Sequence, residues 1–178
     1  MFSSRLVKLA VATALLAGRV TAQCDSTEGP ELLCYVAPDN VPQNVSTADV
    51  EYVAEYLRAY GAQTMAGRQF TMTAADAADC AEWTLYAHGT VLALAKHLNT
   101  TFNSSVLYSD IANTIDGGAG STAAEQADAI LGCGATGGSF GVVYNASNPQ
   151  YLTAAYLADD YTPAGILIKI VSSGVTAT

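Results

Sequence analysis

The clearest hydrophobic pattern in the chain lies in "VSTADVEYVAEYLRAYG", where Val50, Val53, Ala54 and Leu57 recur at helical spacing. A hydroxyl at Ser46 or Thr47 precedes them, Asp49 sits in the first turn and Gly61 follows the last apolar position, so a helix over 46–61 is predicted. Tyr52, Tyr56 and Tyr60 form a neighbouring stripe on it, which reads as a half-buried edge. Upstream, "ELLCYVA" (31–37) is a short apolar run stopped by Pro38 and predicts a first strand. From Ala81 the period shortens to two: Trp83, Leu85 and Ala87 alternate with Thr84 and Tyr86, and a glycine corner leads into "TVLALAKHL". A hairpin is predicted, with helix for 91–98 as the alternative, because Ala, Leu and Lys favour helices.

Residues 62–79 have no sustained period and read as loop, with a turn near Ala74. The polar stretch "NTTFNSS" reads as loop too. It leads into "VLYSDIANTIDGG", where Leu107, Ile111 and Ile115 are spaced for a helix. "STAAEQADAILGCG" predicts another helix, capped at Ser121 or Thr122 with Glu125 in its first turns. "SFGVVYN" predicts a strand, a turn follows around Asn148 and Pro149, and "AGILIKIVSS" from Ala164 predicts a last strand. The order is strand, helix, strand, strand, helix in two pieces, strand, plus an added C-terminal strand. That sequence of elements predicts the α+β class: an antiparallel split βαβ, ferredoxin-like αβ-sandwich with an extra C-terminal strand.

The segment "MFSSRLVKLAVATALLAGRVTA" carries Arg5 and Lys8, then a short apolar run, then small residues at Val20 and Ala22. It reads as a secretory signal peptide spanning 1–22, cleaved before Gln23, and its apolar run is shorter than the ~20 residues a membrane span requires. Residues 23–178 then form a single secreted domain of 156 residues, which keeps four of the seven basic residues against all sixteen acids, a formal net charge of −12. Four scattered cations cannot neutralise a phosphate backbone, which argues against nucleic acid and against anionic membrane surfaces. Four cysteines, Cys24, Cys34, Cys80 and Cys133, predict two disulfides whose pairing the sequence leaves open among three connectivities. Their spacing lacks the close pairs of a zinc site, so no metal is expected. Sequons at Asn44, Asn99, Asn103 and Asn145 fit passage through the secretory pathway.

Two catalytic patterns overlap in "GCGATGGSFG". Gly132, Gly134 and Gly137 fit a dinucleotide fingerprint, while Gly137, Ser139 and Gly141 fit a nucleophile elbow. Both need a strand before the glycines and a helix after them. Here a predicted helix precedes and a strand follows, and no histidine lies beyond Ser139, so neither reading is adopted and no cofactor is expected. The stretch reads as a helix stop and turn pinned by Cys133. His88 and His97, with Glu82 and an arginine, supply the remaining acid–base candidates. Both histidines are expected in exposed places, at a hairpin corner and a strand end. The paired acids Asp76 and Asp79, and Asp159 and Asp160, have no calcium-loop spacing and read as solvated.

The signal peptide, small acidic domain, four cysteines and βαββαβ order from Cys34 through Tyr144 resemble the small secreted effector proteins of plant-associated fungi. Within these, the order is similar to the group whose αβ-sandwich is shared with virally encoded killer toxins of smut fungi. The chain departs from that group in its added tail and its few cysteines. The resemblance implies secretion into the extracellular space of a host and interaction with a host or competitor protein or a cell-surface component, without catalysis and without catalytic residues to carry over. Two other readings stand beside it: a small secreted hydrolase of ribonuclease or esterase type using His88 or His97, and a structural wall protein.

Overall fold

The computed structural model describes residues 28–77, 81–99 and 101–176. The predicted signal peptide, Cys24, Cys80 and Asp79 lie outside the described residues. In chain order the elements are β1 (Leu33–Cys34), α1 (Thr47–Gly61), β2 (Gln69–Met72), β3 (Glu82–His88), β4 (Val91–His97), β5 (Asn103–Leu107), α2 (Tyr108–Asp116), α3 (Ala123–Ala127), β6 (Gly138–Gly141), α4 (Ala154–Ala158), β7 (Tyr161–Thr162) and β8 (Ile166–Ser172). Short 3₁₀ turns at Ile130–Thr136 and Pro149–Leu152 complete them.

The fold is α+β. Five strands form an antiparallel sheet in the order β1-β6-β8-β4-β3, and a second sheet runs β2-β5-β7. Along β4 and β8 the register sets Ala93 opposite Ile170, Ala95 opposite Ile168 and His97 opposite Ile166. Side chains alternate across a strand, so this row makes one face, and every member of it is buried. Helix α1 buries Val50, Val53, Ala54 and Leu57, the stripe predicted from their spacing, in one hydrophobic core with Ile111, Ala112 and Ile115 of α2 and the inner sheet row. Burying a side chain of this size contributes about 1.5–3 kcal/mol.

The hairpin at 82–97 is present, turning at Gly89 and Thr90, and residues 91–97 are strand. Several boundaries differ from expectation. The first strand shrinks to two residues because it sits at the sheet edge and pairs only with β6. Residues 69–72 and 103–105, expected as loop, and 106–107, expected at the head of a helix, form two strands that pair with each other. Their polar residues are tolerated inside because they bond one another: Thr71 Oγ1 lies 2.8 Å from Ser105 Oγ, and Ser105 donates to Gln69 at 3.2 Å. Consequently α2 begins at Tyr108, and Leu107 ends β5. The helix expected over 121–134 stops at Ala127 and continues as a 3₁₀ turn, although its predicted Thr122–Glu125 capping box is present. The strand expected over 139–145 ends at Gly141.

The largest difference concerns the C-terminal strand. Expected as an addition, β8 lies in the middle of the five-stranded sheet between β6 and β4. Both neighbours are antiparallel to it and therefore parallel to each other, with β5, α2 and α3 in the chain between them.

Candidate functional site

The α1 tyrosines recur every fourth residue, and each meets a partner ring from another element. Tyr52 stacks on His88 with centroids 3.8 Å apart, and Tyr56 stacks on Tyr86 at 3.7 Å. Tyr60 meets Tyr108 edge-on at 4.9 Å. Phe70 of β2 continues the belt, lying edge-on to both Tyr108 and Trp83. The Arg68 guanidinium stands 4.4 Å over the Tyr60 ring and donates to its hydroxyl at 2.9 Å. Tyr52 is 45% and Tyr56 38% exposed, so the belt is anchored from behind and open in front. It runs beside β3, which pairs only with β4 among the described residues.

At the hairpin end, Asp49 in the first turn of α1 accepts hydrogen bonds from the Thr90 backbone N–H (2.8 Å) and hydroxyl (2.7 Å), which lower its pKa. Gly89 between His88 and Thr90 has φ +51°, and a Cβ there would strike the Asp49 carboxylate. This close approach brings His88 Nε2 to 3.9 Å from Asp49 Oδ1. His88 is thus a partly exposed histidine beside a carboxylate, with one ring face covered by Tyr52.

His97 differs from expectation. It is 1% exposed, packed between the two sheets, with Nδ1 3.2 Å from the Ala77 carbonyl oxygen and Nε2 3.2 Å from Ser104 Oγ. The carbonyl can only accept, so Nδ1 carries the proton in that contact. Both nitrogens are engaged, and His88 and His97 are not brought together. Ser139 of the elbow pattern lies within β6, fully buried, away from any strand-to-helix turn. Gly137, with φ +66° and no room for a Cβ beneath the Ile170 carbonyl, turns the chain into that strand. Cys133 is bonded to Cys34, pinning the turn as expected of a bridged cysteine and resolving one of the two predicted pairs.

Asn44 and Asn145 are exposed. The Asn99 side-chain Oδ1 accepts from the Thr101 backbone N–H and hydroxyl, and the Asn103 side chain accepts from Ala74 N–H and donates to the Asp159 carbonyl. Among the described residues no three His, Cys, Asp or Glu side chains are grouped to hold a metal ion, and no helix is long and apolar enough to cross a membrane.

In the sequence Lys96 and Lys169 stand as isolated charges, whereas the structure joins them. The register puts Lys96 opposite Glu82, and Lys169 opposite Ser139, on the outer face of the five-stranded sheet. Glu28, ahead of β1, reaches over them: Lys96 Nζ donates to its Oε2 at 2.6 Å and Lys169 Nζ lies 2.9 Å from its Oε1. Tyr35 donates to the same carboxylate at 2.9 Å, and Lys169 also donates to Glu82 at 2.8 Å. Burial opposes ionisation of Glu28, but these donors outweigh it and hold its pKa below the ordinary value. Burial pushes the Tyr35 phenol up. The signal for this cluster was present in "ILIKIV" and "LALAKH", where one lysine interrupts each otherwise apolar strand.

Compared with known family models, curated proteins and solved structures, the chain has no significant match in any of the three.

Proposed function

We propose that the chain is a secreted, disulfide-stabilised, non-enzymatic interaction protein, of the kind fungi deliver as effectors to the extracellular space of a host. The observation that carries this reading is the aromatic belt of Tyr52, His88, Tyr56 and Tyr86 on the open side of α1. Tyrosine gives a large contact area at small entropic cost, and rings already fixed by stacking lose little further freedom when a partner covers them. The formal charge of −12 expected for residues 23–178 favours a partner surface that is not itself acidic. The parallel strands β4 and β6 on either side of β8, with α2 in the chain between them, support the finer reading of a ferredoxin-like αβ-sandwich of the killer-toxin kind.

A second reading rests on the Asp49–His88 pair: a hydrolase with His88 as general base. Secretion is checked by expression in a fungal host, where protein from the culture fluid should begin at Gln23. One comparison separates the two functions. Purified wild type, Y52A/Y56A and H88A are infiltrated into leaf tissue and assayed in parallel on generic nuclease, esterase and glycosidase substrates. Interaction predicts a tissue response that Y52A/Y56A loses, with no turnover by any form. Turnover that disappears in H88A would establish the hydrolase instead.

A further inference from the structure

The Glu28 cluster has the construction of a ligand site whose ligand belongs to the same chain. Its base is made by the sheet: Lys96 and Lys169 project from neighbouring strands, with side chains 5% and 14% exposed. Tyr35 adds a phenolic donor from just beyond β1. Glu28 comes from outside the sheet, and only its carboxylate is held by these three groups.

Donor capacity exceeds what Glu28 uses. A lysine ammonium carries three N–H donors, yet among the described residues Lys96 bonds to Glu28 alone. A cavity of about 180 Å³ adjoins the cluster, lined by Glu28, Tyr35 and Lys169 on one side and Asn40, Val41 and Gln43 on the other. Room for a small anion thus lies beside Lys169 and Tyr35, with Lys96 behind the Glu28 carboxylate and outside the cavity lining. With the Glu28 carboxylate absent, an apolar or cationic ligand would leave Lys169 with Glu82 alone and the buried Lys96 ammonium uncompensated among the described residues, so the chemistry selects an anion, and the group already held there is a carboxylate.

We propose that Lys96, Lys169 and Tyr35 form a carboxylate-binding site on the outer sheet face, filled by Glu28 as an exchangeable intramolecular ligand and open to a free carboxylate once the Glu28 carboxylate is withdrawn. The site is independent of the aromatic belt, so its fate does not bear on the interaction reading.

The test is rescue of the full chain bearing Glu28→Ala by acetate. Melting temperatures of wild type, E28A and E28A/K169M are followed against sodium acetate, with sodium chloride at matched ionic strength as control. Acetate is expected to raise the melting temperature of E28A saturably, by about 4 °C at ten times its dissociation constant, beyond any effect of chloride. Wild type, already filled, and E28A/K169M, lacking one cation, should respond to the two salts alike. Equal responses of E28A to acetate and chloride would make Glu28 a fixed structural partner and overturn the proposal, as would an unchanged acetate response in E28A/K169M. Should E28A not fold in chloride, recovery on refolding into acetate is the expected result, and failure in both salts counts against the site.

Discussion

Asp110 is the residue whose burial has the most direct consequence in solution. It is 9% exposed, and its Oδ2 accepts from the Tyr151 hydroxyl at 2.5 Å, while that hydroxyl also accepts from the Leu107 backbone N–H at 2.9 Å. Burial raises the Asp110 pKa, and the bond from Tyr151 offsets part of the rise. Below the unfolded value, near 4, the side chain is protonated in both states and costs nothing. As the pH rises, the unfolded chain ionises first, so stability falls until the folded pKa is passed. The loss is about 1.4 kcal/mol for each unit by which folding raises the pKa. Asp110→Asn keeps an acceptor for Tyr151 and removes the titration. Urea unfolding of both proteins from pH 3.5 to 7 should therefore show the difference moving in favour of D110N as pH rises, and a constant difference would refute the assigned burial cost. None of this was legible in the sequence, where Asp110 is one acid in a helical pattern and Tyr151 lies 41 residues away. The same holds for His97: its place at a strand end was readable, but its burial depends on a second sheet built from residues that look like loop.

At the scale of elements, what the sequence carried well was periodicity sustained over several turns or alternations. Helix α1 emerged with the expected face because its apolar positions keep one period along the whole helix; the β3–β4 hairpin emerged as an element, but a bulge between Thr84 and Tyr86 swaps the expected faces beyond it, turning Tyr86 toward the core and leaving Ala87 exposed. Strands β2 and β5 escaped because Gln69–Met72 alternates over only four residues and Asn103–Leu107 opens with three polar residues and has no alternation. Their stability comes from hydrogen bonds across the pair, which composition does not display. The tyrosine stripe lies between these cases: its four-residue spacing was evident, whereas its partners on the hairpin were not. The stacking of Tyr56 on Tyr86, with that of Tyr52 on His88, joins α1 to β3. A double-mutant cycle with Y56A and Y86A should give a favourable coupling of about 0.5–1.5 kcal/mol in urea unfolding. Additive effects, with no coupling, would mean that the two rings are neighbours without being partners, and the belt would then be too loose to serve as a fixed interaction surface.

At the scale of the whole molecule, class and helix-to-sheet packing follow from the order of elements, but strand order does not. Nothing in "ILIKIV" marks β8 as a central strand except its near-continuous apolar character, and that is the character a strand covered on both faces requires. With β8 in the centre, β1 is left at the outer edge with two residues in the ladder. An edge strand this short gains little from pairing alone, and the Cys34–Cys133 bridge compensates by fastening it to the turn before β6. The bridged residues are 99 apart in sequence, so the crosslink also closes a loop for which chain entropy alone predicts about 4–5 kcal/mol. Replacing both cysteines by serine should lower the unfolding free energy by about 2–5 kcal/mol at neutral pH. The loss should be uneven. In hydrogen exchange on the serine variant, the Tyr35 amide, bonded to the Gly137 carbonyl, should lose protection first, while amides of β4 and β8 exchange only with global unfolding. Uniform loss across both regions would show that the bridge acts on the unfolded chain alone and that β1 holds its edge position without it.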